Sequence, residues 1–96
     1  MSDQEIIPIE ICCSYYNIEL EFVQTLEEYG LISISYRETK GFIQQEDVAQ
    51  LEQFSRMYYD LSINVPGIDA LHHLLEKIKK LQQETDALHN RLRIYE

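Results

Sequence analysis

From Leu71 to Tyr95 the chain repeats every seven residues. Leu71, Ile78, Thr85 and Leu92 occupy one position of the heptad, and Leu74, Leu81, Leu88 and Tyr95 occupy the other. Positions spaced alternately three and four apart fall on one stripe of an α-helix, so these eight form a single seam. An amphipathic helix folded back on its own domain is the simpler way to bury such a stripe. A seam sustained this far predicts instead a partner helix from a second copy of the chain, giving a homodimer in which Thr85 weakens the seam but helps set its register. In a parallel pair Glu84 would meet His89 and Arg91 would meet Glu96. In an antiparallel pair Lys77 would face Arg91 and Glu84 its own copy. Exposed ion pairs contribute only about 0–1 kcal/mol, so both orientations stay open.

The start of this helix is also written in the sequence. Asn64 can cap it through its side-chain oxygen, and Val65, Pro66 and Gly67 then fill the first turn, where donors lack intrahelical partners and the missing proline N–H costs little. The chain therefore divides into a first module, residues 1–63, and a dimerisation helix, residues 64–96.

Within the first module, Ile9 to Tyr16 is a short apolar segment after Pro8, and Asn17 is a turn residue able to adopt a left-handed conformation. Ile18, Phe22, Leu26 and Tyr29 then recur at helical spacing until Gly30 stops them, which predicts a helix-turn-helix pair. The alternating ISISY run, the loop RETKG and the return FIQ predict a small β-hairpin, a wing in this context. Glu46 to Tyr59 is expected to be a third helix with Val48, Leu51, Phe54 and Tyr58 on one side, ending near Asp60 to Ile63. The predicted fold is mainly α, a winged helix-turn-helix followed by a coiled-coil helix.

Charge narrows the partners. The net charge is −9, and Met1 to Tyr36 holds no Lys or Arg while Asp3, Glu5, Glu10, Glu19, Glu21, Glu27 and Glu28 are all acidic. A surface of this sign repels phosphate backbones. It either keeps the chain soluble or steers a basic protein partner.

Catalytic and metal chemistry find little support. HHLLE at His72 and His73 lacks the His-Glu-x-x-His order of a zinc helix, the serines lack a nucleophile-elbow context, and three glycines make no phosphate loop. Adjacent Cys12 and Cys13 suit neither an ordinary disulfide nor a Cys-x2-Cys zinc site, and are read as small core hydrophobes. A non-enzyme without cofactor, metal or small-molecule substrate is expected. The N-terminal MSDQEII lacks a signal-peptide pattern and no segment is long and apolar enough to span a membrane, so a cytoplasmic protein is expected.

The order helix-turn-helix, wing, third helix and capped coiled-coil helix resembles the MerR type of DNA-binding protein. More closely, ICCSYYNI, EEYGLI and LSINVPGIDALHHLLEKIKKLQQETDALHNRL resemble the chaperone-modulator family of CbpM type, over about Pro8 to Leu92. That resemblance implies an adaptor that binds the J-domain of a CbpA-type, DnaJ-like co-chaperone and restrains its stimulation of Hsp70. The helix of a J-domain that meets Hsp70 is characteristically basic, so complementary fields would guide docking. Glu21, Gln24, Glu27 and Glu28 on the second helix are the candidate contacts, with Tyr15 and Tyr16 as apolar anchors. The alternative is a MerR-like transcription regulator. Against it, Gln24 stands where DNA-binding members commonly place Arg, and the wing's usual Gly-aromatic-Arg reads Gly41, Phe42, Ile43. Arg37 and Lys40 remain in the wing, a small phosphate footprint.

Overall fold

A computed structural model describes residues 5–94. Asp3 and the last seam residue, Tyr95, lie outside them.

Helix α1 (Ile9–Tyr16) buries Ile9 and Cys12 and ends at Asn17, whose φ of 57° turns the chain while the Ile18 N–H donates to the Cys13 carbonyl at 2.9 Å. Asparagine tolerates this left-handed conformation better than most residues. Helix α2 (Leu20–Glu28) follows after three residues, Asn17, Ile18 and Glu19, and buries Phe22, Val23 and Leu26. Its end is a Schellman turn. The Gly30 N–H donates to the Glu27 carbonyl and the Leu31 N–H to that of Leu26, both at 2.9 Å, with Gly30 at φ 74°. Leu26 and Leu31, the pair that closes such a turn by apolar contact, are both buried. Because the helix stops there, Tyr29 does not complete the expected apolar stripe and is 44% exposed. Val23 takes its place, fully buried.

The wing is β2 (Ser35–Arg37) and β3 (Lys40–Gln44), joined across Glu38 and Thr39. A third strand, β1 (Ile6–Pro8), pairs antiparallel with β3, Ile7 opposite Ile43, to give the order β1-β3-β2. Sequence periodicity missed β1, which is three residues long and ends in proline. An edge strand tolerates that proline because one side of its ladder is unpaired.

A single 3₁₀ turn (Gln45–Asp47) leads into α3 (Val48–Ser55), which buries Leu51, Phe54 and Ser55. The expected helix does not run on regularly to Tyr59. Residues Arg56–Asp60 form a π-helical turn, with the Leu61 N–H donating to the Arg56 carbonyl at 3.2 Å. Widening the turn sends Met57 into the core and swings Tyr58 onto Phe22, where the rings stack at 4.5 Å. The Tyr59 hydroxyl accepts the Glu19 N–H at 3.0 Å, one of the donors left unpartnered at the start of α2.

Helix α4 (Val65–Ile94) begins as expected. Asn64 Oδ1 accepts the Gly67 N–H at 2.8 Å, and the Asn64 carbonyl accepts the Ile68 N–H at 2.9 Å. Val65 and Ile68 are buried in the same core as α2 and α3, and Leu71 packs against it half-buried. The first seam residue thus also serves its own core. Beyond it the seam stands open, with Leu74, Ile78, Leu81, Leu88 and Leu92 between 56% and 61% exposed. The Thr85 hydroxyl turns back to donate to the Leu81 carbonyl at 3.0 Å. Among the described residues no helix is long and apolar enough to cross a membrane.

Candidate protein-binding face

Burial of Phe22, Val23 and Leu26 fixes which side of α2 looks outward. At 100° per residue the opposite side carries Glu21, Gln24 and Glu28, and all three are exposed. Glu27 lies at the edge of this face, half-buried, and its Oε1 accepts the Tyr36 hydroxyl at 3.1 Å, tying α2 to the wing. Partial desolvation, together with the hydrogen bond to Glu27 and its charge, raises the Tyr36 pKa above the ordinary value. Among the described residues no cation pairs with Glu21, Glu27 or Glu28.

The placement of Glu27 and Glu28 is electrostatically unfavourable. They sit at the C-terminal end of α2, where the helix dipole is negative, and no basic residue occupies that last turn. Each such carboxylate costs roughly 0.3–1 kcal/mol at an exposed helix end. Glu27 is offset in part by its hydrogen bond to the Tyr36 hydroxyl, whereas Glu28 is exposed and has no cationic partner among the described residues.

Tyr16 does not join this face. It turns toward α3 and lines a shallow depression with Glu52, Ser55, Arg56 and Tyr59, while Tyr15, 80% exposed, stands edge-on to the Tyr16 ring at 4.9 Å. The side of α2 that faces the wing brings other residues together. Ile11, Leu20, Ile34, Tyr36 and Phe42 line a cleft of about 440 Å³ between α1, α2 and the hairpin, and Gln24 reaches its edge. Gly41 also lines it, in close packing: a Cβ there would come within 3.0 Å of Ile34 Cγ2 and 3.3 Å of Tyr36 Cε1. The one sequence signal for this cleft was an apolar residue off each helix's buried stripe, Ile11 in α1 and Leu20 in α2.

The wing's basic groups flank its turn, and Lys40 also lines the cleft. Arg37 and Lys40 are opposite each other across the hairpin turn, with the Arg37 guanidinium 6.0 Å from the centre of the Phe42 ring. Ile43, at the wing position where an arginine would serve DNA, is wholly buried. Both histidines of HHLLE are engaged in the helix scaffold. His72 lies edge-on to Phe54 and 3.4 Å from Gln50 Nε2, and His73 Nδ1 is 3.3 Å from Asp69 Oδ1. Among the described residues no group of three His, Cys, Asp or Glu is placed to hold a metal ion.

Two short helices joined by a tight turn, a β wing packed against the first and tied to the second through Tyr36 and Glu27, and a long helix leaving the core define a winged helix-turn-helix protein. The sequence matches the family described as MerR HTH family regulatory protein over residues 7–90. That match covers most of the chain, which belongs to this family. No curated protein and no solved structure matches it.

Proposed function

We propose that the chain is a non-catalytic, cytoplasmic adaptor that binds the J-domain of a CbpA-type, DnaJ-like co-chaperone and lowers its stimulation of Hsp70. The observation that carries this reading is the outward face of α2, where Glu21, Glu27 and Glu28 have no cationic partner among the described residues. In a DNA-binding helix-turn-helix the second helix enters the major groove between two phosphate backbones, and here the charge of its outward face has the wrong sign for that. A basic helix laid along it would neutralise the two carboxylates at the negative end of the α2 dipole. The resemblance to CbpM-type modulators supplies the identity of that basic helix, the J-domain surface that meets Hsp70. Covering it would block Hsp70 by competition. Two copies would associate through Leu74, Ile78, Leu81, Leu88 and Leu92, an apolar stripe that a lone chain leaves in water.

The second reading, a transcription regulator, draws on the helix-turn-helix scaffold and on Arg37 and Lys40 in the wing. Titration of the full chain against isolated J-domains of DnaJ-like co-chaperones, at two salt concentrations, tests the first. Saturable binding that weakens about tenfold or more in the E21Q/E27Q/E28Q variant is the expected result. No binding to any J-domain, with operator-type duplex bound instead and log K falling by about 0.9 per phosphate contacted against log salt, would replace the adaptor with the regulator.

A further inference from the structure

The cleft between α1, α2 and the wing is left unexplained by charge. Ile11, Leu20 and Tyr36 surround it with 57%, 52% and 57% of their surfaces exposed, in a part of the molecule where a DNA-binding relative needs polar contacts. Grouped large apolar side chains around a concavity mark an interaction site more often than scattered ones do. Its volume of about 440 Å³ falls within the range of about 300–1,000 Å³ typical of small-molecule sites. Its polar lining side chains are Glu10, Gln24, Tyr36, Thr39 and Lys40, set beside the apolar surfaces of Ile11, Leu20, Ile34 and Phe42, so it offers apolar seats with charged and polar groups next to them. Strand addition is poorly served, because β2 is three residues long.

We infer that this cleft seats the apolar side chains of a basic amphipathic helix whose cationic side chains meet Glu21, Glu27 and Glu28 on α2. The inference rests on the protein-binding reading of α2 and adds the partner's second chemical requirement, apolar anchors beside the positive charges. The geometry supplies both halves on adjacent surfaces. Gln24 borders the cleft and shares the outward face of α2 with Glu21 and Glu28, while Glu27 is hydrogen-bonded to Tyr36, which forms part of the cleft wall. Apolar side chains one turn apart on a helix enter between Ile11 and Leu20 on one wall and Tyr36 and Phe42 on the other. The lysines or arginines beside them then project toward the carboxylates. Charge alone would give a contact that salt dissolves, whereas desolvated anchors supply the salt-resistant part and the selectivity among basic helices.

The test uses the isotope-labelled full chain and two synthetic lysine-rich helical peptides, one with leucines at i, i+3 and i+7 and a twin with serine at those positions. The expected result is chemical-shift change at Ile11, Leu20, Ile34, Tyr36 and Phe42 with the leucine peptide, and affinity about tenfold or more lower for the serine twin. I11S/L20S, both positions being exposed, keeps the fold and removes the difference between the peptides. Equal binding of the twins, shifts confined to the α4 seam, or no binding of either overturns the cleft as anchor site. The two proposals fail separately. A J-domain bound equally by wild type and I11S/L20S leaves the adaptor standing and removes the cleft. A leucine peptide seated in the cleft, with no J-domain bound, does the reverse.

Discussion

Replacing Asn64 with alanine removes a single hydrogen bond, and the structure sets how much that costs. The Asn64 side-chain oxygen holds the Gly67 N–H at 2.8 Å at an exposed site. Water can reach the donor once the cap is gone, so the full penalty for a buried unpaired group does not apply. The loss is the ordinary one for an N-cap, about 1 kcal/mol within a range of 0.5–2. It reaches the whole module because Val65 and Ile68, in the first turn after the cap, are core residues. In a domain of this size 1 kcal/mol lowers Tm by about 4–8 °C. Asn64→Gly should lose only a few tenths of a kcal/mol, and Asn64→Asp should match or exceed wild type because a carboxylate also suits the positive end of the α4 dipole. Urea unfolding followed by far-UV circular dichroism measures the series, at one protein concentration because the proposed self-association would couple stability to it. Alanine and glycine variants of equal stability, or an alanine variant within a few tenths of wild type, would refute the cap as the device that starts α4.

Leu81→Asp should abolish self-association while sparing the fold, since Leu81 makes no contribution to the described core and is 57% exposed. Losing one buried leucine from each copy removes about 3–6 kcal/mol, more than 100-fold in dissociation constant, and sedimentation equilibrium distinguishes a monomeric variant from a dimeric wild type. Equal masses at every concentration would refute the seam. The thiols offer a pH test. Burial, then the neighbouring Cys13, raises the Cys12 pKa, and burial, then Glu10, raises that of Cys13. Raised in the fold, these groups contribute stability that is whole below the ordinary thiol pKa and is lost as pH rises through the folded values. Both should react with a disulfide reagent more slowly at pH 8 in the native chain than in urea; equal rates would contradict their burial.

The parts of the fold legible in the sequence were those set by local chemistry. Asn17, Gly30 and Asn64 each end or start a helix through their own backbone or side-chain geometry, so the residue type announces the turn. Strand β1 was not legible because Ile6 and Ile7 run into the apolar start of α1 without alternation, and only pairing with β3 makes them a strand. The π-helical turn was hidden for a related reason. A regular 3.6-residue period places Tyr58 inward, whereas the wider turn buries Met57 and stacks the Tyr58 ring on Phe22, a residue distant in the sequence. The acidic face of α2 could be read from spacing because one helix supplies it. The cleft beside it draws on Ile11, Leu20 and Tyr36 from separate elements and exists only once the hairpin is packed.

Helix α4 is one uninterrupted rod whose base is set in the core through Val65 and Ile68. Thirty residues at 1.5 Å each make it about 45 Å long, with no break described between its anchored end and its seam. In a dimer the rod converts an association between helices into a ruler. The separation and mutual tilt of the two acidic faces are then set by seam register, and a partner presenting two basic helices gains from avidity only when its own span matches that gauge.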